Sequence, residues 1–384
     1  MKILTVDIGT GTQDVYLFDS RLDIENGYKL ILPSPTMQLR WQIQQATRRG
    51  LPILIEGVMM GGGPCAWAVE DHLRAGLPVY ATPSAAQTLD DDLERVRRLG
   101  VQLVSEDEAR RLPSDVERIR FQDFDFSRLV AVFRSFGVAM DDLAAVAVAV
   151  FDHGAAPPGV SDRRFRFEYL HRRLREQNRL SALAYLAPHI PPFLTRLQAV
   201  AHSAGDLDCP LVVMDTAPAA VLGALFDPRV AAQDRVLIAN IGNFHALAFR
   251  LGPGGIEGLF EHHTGEITSA RLVELLLRLA EGTLTNEEVF DDQGHGALVY
   301  DSQPLPLPRP GDFDVVVTGP RRSMLPKANG ALRPYPAAPF GDMMLAGCFG
   351  LLAATADLLP DLAGPIRRAL SGLAAERAPW DVPE

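Results

Sequence analysis

Short apolar runs separated by polar turns organise the chain. Residues 2–7 and 14–18 are apolar runs flanking a turn made of Asp7, Gly9, Thr10, Gly11 and Thr12. They predict a β-hairpin, with 28–32 as a third strand. Residues 36–49 carry helical spacing. "LPILIEG" (51–57) reads as a buried strand entering "VMMGGGP" (58–64), and a helix follows to about Arg74. "LPVYATP" predicts a short strand, 89–99 a helix and "VQLV" (101–104) another strand, whereas 105–127 is polar and reads as irregular. "LAAVAVAVFDHG" (143–154) predicts a buried strand ending on Asp152, His153 and Gly154.

"CPLVVMDTAPAAVLGALFD" (209–227) predicts strand then helix. Strands at 235–242, 244–251 and 255–263 follow, then a helix at 268–280, a strand at 313–319 and a helix at 342–359. "QPLPLPRPGD" (303–312) reads as a connection. Two sections thus begin with three strands and continue as alternating strand and helix, one at residue 2 and one near 234. The pattern is an α/β architecture used twice.

Composition narrows the function. A chain of 384 residues, 47% hydrophobic and 22% charged, is globular and long enough for two domains. A net charge of -11 argues against a general nucleic-acid binder, which needs clustered Lys and Arg to neutralise phosphates. Cys65, Cys209 and Cys348 lie far apart, so no zinc ribbon, disulfide framework or three-cysteine iron–sulfur run is indicated. The apolar run 143–151 is about half a membrane span. Asp7 interrupts the first apolar stretch, unlike a signal peptide. A reducing cytoplasm and no membrane partner are expected. Residues 162–180 carry seven arginines on one amphipathic helical pattern. They form either a solvated helix face or a contact for an anionic partner.

The opening "VDIGTGTQDVYLFD" resembles the first phosphate loop of the actin-like ATPase superfamily, which includes sugar kinases, hexokinases and Hsp70 chaperones. Four more stretches resemble its other motifs in order. "MDTAPAAVLGALFD" (214–227) is similar to the first connecting helix and "IANIGNFHALAF" (238–249) to the second phosphate loop. "VVVTGPRRSML" (315–325) is similar to the adenosine loop and "GDMMLAGCFGLLAA" (341–354) to the second connecting helix. The resemblance implies a two-domain actin-like ATPase (ribonuclease H-like) fold closing over ATP. The first domain would be 1–227, completed by C-terminal helices in 341–384, and the second 228–340.

It also implies cofactor contacts. Gly9, Thr10, Gly11 and Thr12 would approach phosphates, and Asp7 would hold Mg²⁺ through water. Asn240, Gly242, Asn243 and His245 would form the second phosphate loop, and Gly319, Pro320 and Arg321 would lie near adenosine. Asn240 departs from the usual Asp and lacks its charge. "EGVMMGGGP", "NIGNFHALAF", "FEHHTGEIT" and "DQGHGALV" further resemble a family often labelled "pyruvate formate-lyase activating enzyme-like". That label implies radical-SAM chemistry, whose three-cysteine motif this chain lacks.

Nine histidines are present, and His153, His245, His262, His263 and His295 fall near Gly or turn residues. They read as loop imidazoles satisfied by carbonyls, as catalytic or phosphate-binding groups, or as ligands for a transition metal, with His262, His263 and His295 the candidates beside Asp7 as the Mg²⁺ residue. At least three are expected to converge. Asp215 precedes an Ala-rich helix and reads as an N-cap; resemblance to glucokinase-type enzymes makes it a candidate general base instead. Asp152, beside His153, is the rival. The functional expectation is an ATP/Mg²⁺-dependent phosphotransferase or ATPase acting on a small molecule. The alternatives are a nucleotide-binding module or sensor with little turnover, serving an unknown protein partner, and a metal-dependent group transferase.

Overall fold

The structure is a computed structural model that describes residues 1–205, 207–307, 313–325, 332–373 and 378–382. The end of the 303–312 connection and part of the 341–384 segment lie outside the described residues. The chain begins with β1 (Lys2–Ile8), β2 (Thr12–Asp19) and β3 (Tyr28–Pro33), an antiparallel meander in which Asp7 sits directly opposite Asp14. β1 is buried along its whole length because layers pack on both of its faces.

The chain then leaves this sheet to build another. β4 (Ile53–Gly57), β5 (Val79–Ala81), β6 (Gln102–Leu103) and β7 (Glu117–Phe121) form a four-stranded parallel sheet in the order β6-β5-β4-β7. Ile53, Ile55, Val69, Val79 and Phe121 give it a core of its own. Two sequence readings are corrected here. Residues 105–127 are ordered: a capping box between Ser105 and Glu108 starts the helix Glu106–Arg111, and β7 alternates charged residues with buried Ile119 and Phe121. The 89–99 helix begins only at Leu93, where Asp92 caps it.

β8 (Leu143–Val150) returns the chain to the first sheet, parallel to β1. After β9 (Ala184–Leu186) and β10 (Leu211–Asp215), that sheet has the order β3-β2-β1-β8-β10-β9. The first connecting helix, Thr216–Ala224, leads to β11 (Val236–Ile241), β12 (His245–Gly252) and β13 (Gly255–His263), again an antiparallel meander. β14 (Gly296–Val299), β15 (Val315–Thr318) and β16 (Pro334–Pro336) complete a sheet of order β14-β13-β12-β11-β15-β16. β15 lies parallel to β11 as β8 lies parallel to β1. The same meander with the same parallel neighbour occurs twice, which is the duplicated topology of the actin-like ATPase fold.

The second connecting helix, Ala346–Leu358, is apolar all round and packs under the first sheet against Tyr16, Phe18 and Ala145. It crosses the first connecting helix at backbone contact. A Cβ on Gly223 would stand 1.7 Å from the Ala346 carbonyl oxygen, and one on Gly350 would stand 1.8 Å from that of Ala219. No side chain fits at either crossing point.

Candidate active site

The turns of the two meanders face each other. The Gly9 N–H donates to the Thr12 carbonyl (2.9 Å) and the Gly242 N–H to the His245 carbonyl (2.8 Å), so the two hairpins close with the same turn. Their tips meet: a Cβ on Gly11 would lie 2.9 Å from Asn243 Nδ2. A cavity of about 140 Å³ between them is bordered by Asp7, Gly9–Thr12, Asn240, Gly242, Asn243 and His245, and by Thr318, Gly319 and Pro320. The three sequence motifs therefore meet in one place. Gly319 adopts φ +90°, and a Cβ there would lie 2.4 Å from the Ile241 carbonyl oxygen, so the third loop can approach only with glycine. Arg321 is exposed and does not border this cavity; its neighbour Arg322 does.

Two carboxylates lie under the first hairpin. Asp7 accepts from Thr216 Oγ1 at 2.6 Å, and Gly347 approaches so closely that a Cβ there would meet Asp7 Oδ2 at 1.8 Å. Burial pushes the Asp7 carboxyl up to about 7, against the Thr216 hydrogen bond. Burial, and then the Asp7 charge, push Asp14 up to about 8. Among the described residues, Asp14 Oδ1 is buried without a hydrogen-bond partner. Such a pair suits a cation carrying its own water. Asp14 is absent from the sequence reading, although the hairpin register signals it: with a turn at 9–12, position 14 falls opposite position 7. Asn240, the counterpart of Asp7, donates from Nδ2 to Thr318 Oγ1 at 3.0 Å.

A second cavity of about 910 Å³ opens beside the first, between the inserted sheet and the two meanders. The glycine run 61–63, Asp90–Asp92, Asp152, His153 and His263 border it. Asp152 accepts from the Gly154 N–H at 2.8 Å and the Leu197 N–H at 2.9 Å; burial raises its pKa and those donors oppose the rise. The His153 ring Nδ1 lies 2.8 Å from the Gly154 carbonyl oxygen. Arg196 borders both cavities. It is anchored to Asp123 (2.7 and 3.0 Å) and donates to the Phe151 carbonyl (2.8 Å). No sequence motif pointed to it.

Asp215 borders neither cavity. Its Oδ1 accepts from the Ala217 N–H at 3.3 Å, capping the first connecting helix, and its Oδ2 lies 2.8 Å from Arg166 Nη2. The geometry thus places it as a cap and ion-pair partner. Arg166 comes from the arginine-rich helix, Asp162–Glu176, and is fully buried. It also donates from Nε to Glu261 at 2.6 Å and from Nη1 to the Asp152 carbonyl at 2.8 Å. Arg163 on the same helix donates to the Phe290 carbonyl at 3.0 Å. The arginine-rich segment is therefore not simply a solvated face: part of it ties the first sheet to the second. Burial pushes the Glu261 carboxyl up to about 7 despite Arg166.

His245, His263 and His295 converge, each offering a ring nitrogen within 4.8 Å of the others. Burial and the neighbouring imidazoles lower the pKa of His245 and His295. His262 does not join them. Alternation along β13 turns it to the opposite face, where Nδ1 meets the His263 carbonyl oxygen (3.0 Å) and Nε2 lies 3.6 Å from Asp292. Asp7, expected to hold Mg²⁺, is not part of this histidine group.

Residues 60–324 match the model of the family described as "Putative pyruvate format-lyase activating enzyme (DUF1786)". The chain belongs to this family. No curated protein matches it. Solved structures show only loose similarity to this family member. An activator of the 2-hydroxyisocaproyl-CoA dehydratase from Clostridium difficile, with bound ADPNP, is 10% identical over 94% of this chain and 97% of that one, with a TM-score of 0.33. The ethanolamine utilization protein EutJ from Carboxydothermus hydrogenoformans is 13% identical over 91% and 89%, with a TM-score of 0.30. A ROK family transcriptional regulator, a homolog of the E. coli MLC protein, is 9% identical over 66% of this chain, which spans only 37% of that one, with a TM-score of 0.25. The fold assignment rests on the duplicated sheet order itself.

Proposed function

We propose that this family member binds Mg-ATP between its two hairpins and transfers the terminal phosphoryl group to a small molecule in the larger cleft. The observation that carries this reading is the shared wall. Gly9, Thr10, Phe151, Arg196, Phe244 and His245 border both cavities, so a phosphate chain at the hairpins would end where an acceptor could lie. Glycine turns expose N–H groups to phosphate oxygens. The buried, unpartnered Asp14 Oδ1 and the raised pKa of Asp7 fit a hydrated Mg²⁺, which would neutralise phosphate charge when bound. Arg196, held by Asp123, presents a fixed guanidinium on the wall shared by the two compartments. The 140 Å³ cavity is below the roughly 300 Å³ of a typical ligand pocket, so nucleotide entry requires the hairpin tips at Gly11 and Asn243 to part. Widely spaced Cys65, Cys209 and Cys348 do not support the activase chemistry in the family's description.

Asp152 and His153 border the cleft and are the candidates for accepting the acceptor's proton. With Mg-ATP and a panel of polyols and hydroxy acids, His153→Gln is expected to lower phosphoryl transfer by about 100-fold or more while leaving ATP affinity unchanged. Asp215→Asn is expected to keep turnover per folded molecule, because Asn retains the cap. Loss of turnover in folded Asp215→Asn, with full turnover in His153→Gln, would transfer the role of base to Asp215. A second reading, a nucleotide sensor with little turnover, is favoured by Asn240, whose amide is neutral and bonded to Thr318. Calorimetry showing tight Mg-ATP binding without phosphate release from any mixture would establish that reading instead.

A further inference from the structure

Three neighbouring strands each bring one histidine to the same edge of the second sheet. His245 begins β12 and pairs directly with His263 at the end of β13, and His295 immediately precedes β14. Their ring centroids are 5.1 Å (His245–His263), 5.1 Å (His245–His295) and 4.5 Å (His263–His295) apart. Ordinary loop imidazoles satisfied by backbone carbonyls would not crowd together, tilted and edge-on, in this way. Here Phe151 lies flat against His245 at 3.9 Å, closing one side of the group with an apolar ring.

The surroundings resemble a ligand shell that is already oriented. His295 is nearly fully buried, and among the described residues its Nδ1 has no hydrogen-bond partner; Glu261 Oε1, likewise unpartnered, lies 3.5 Å away. The other oxygen of Glu261 is fixed by Arg166 Nε at 2.6 Å, and the His295 backbone N–H donates to the Glu261 carbonyl at 2.9 Å. A carboxylate behind one ring nitrogen directs the opposite nitrogen forward, as outer-shell carboxylates do for metal-bound histidines. Nitrogens at most 4.8 Å apart put the centre of their triangle no more than about 2.8 Å from each. Inward ring movement of about 0.7 Å would give Zn–N distances near 2.1 Å.

We propose that His245, His263 and His295 bind one divalent first-row transition-metal cation such as Zn²⁺, with an open coordination position facing the large cleft. Three imidazoles without a carboxylate ligand favour this class over Mg²⁺ or Ca²⁺. His245 and His263 both border the 910 Å³ cleft, so the open position would take a carboxylate, carbonyl or hydroxyl oxygen of the molecule held there. The cation would be separate from Mg²⁺ at Asp7 and Asp14, because those residues lie outside the histidine group. The site is a cation site whether or not the protein turns over ATP.

The test is titration of the metal-stripped protein with Zn²⁺ against a chromophoric chelator, and with Co²⁺ monitored by visible absorption. One equivalent is expected to bind. His263→Gln and His295→Gln should each lower affinity by more than about 100-fold, and Glu261→Gln by roughly 10- to 100-fold. His262→Gln, on the opposite face of β13, should bind normally; if it does not fold, the exposed His171→Gln takes its place as control. Asp7→Asn should also bind Co²⁺ normally, even if Mg-ATP binding is lost or was never present. No stoichiometric binding by the wild type, or equal affinity in the folded His263→Gln and His295→Gln variants, would overturn the proposal. Half-exposed His263 tolerates substitution better than buried His295, so at least one variant remains informative.

Discussion

Replacing Asp14 with Asn is expected to stabilise the cation-free protein at pH 8 and, if Mg²⁺ binds as proposed, to abolish most of the stabilisation it would give. Asp7 and Asp14 face each other across β1 and β2, both buried, with carboxyls raised to about 7 and about 8. A carboxyl whose folded pKa exceeds its unfolded value holds a proton that the unfolded chain has released. Stability is then full below the unfolded value near 3.8 and is lost as pH rises towards 8. At about 1.4 kcal/mol per unit the penalty is several kcal/mol. Asn removes the charge but remains a buried polar group, so a net gain of roughly 2 to 4 kcal/mol is expected at pH 8, and little at pH 4. Urea unfolding at pH 4, 6 and 8, with and without Mg²⁺, measures this. Identical pH slopes and an identical Mg²⁺ response in wild type and variant would remove the acidic pair as the cation site.

The second large effect lies at Arg166. Its guanidinium contacts Asp215 and Glu261, carried by the first and second sheets, and all three side chains are buried. Arg166→Met strands two carboxylates in the interior and is expected to cost about 3 to 5 kcal/mol. The loss should be smallest at low pH, where Glu261, already raised to about 7, takes up a proton easily. Adding Glu261→Gln to Arg166→Met should recover part of the stability. If the double variant is no more stable than the single one, the cost does not come from an unpaired Glu261, and the stranded Asp215 or the lost packing on Phe151, over which Arg166 lies at 4.4 Å, carries it.

Much of the scaffold was legible because its elements announce themselves locally. Apolar runs at 2–7, 143–151 and 235–242 became β1, β8 and β11, and the Gly-rich turns between strands became the facing hairpins. What the pattern did not carry was partnership across long separations. Arg166 looks like one more charge on a polar helix until Asp215 and Glu261 arrive, 49 and 95 positions later. Arg196 acquires its role from Asp123, Phe151 and the shared wall of two cavities. The histidine group was expected to converge, but strand alternation replaces His262 with His245, a consequence of side-chain direction that composition cannot express. β7 escaped notice because its charged residues face outward on a short strand.

The inserted sheet has a consequence for how such a protein diversifies. The chain leaves the first sheet after β3 and rejoins it at β8; the inserted sheet between them folds around its own core, while Phe124, Leu129, Phe133 and Met140 pack back into the core of the first sheet. Neither hairpin nor either connecting helix contains a residue of this detour, yet it forms one flank of the 910 Å³ cleft through its glycine run and Asp90–Asp92. Sequence drift in the detour can therefore reshape what the cleft admits without altering the pairing of Asp7 with Asp14 or the alignment of the three histidines. The fold separates the frame that holds the hairpins and histidines from a module that shapes the entrance of the cleft.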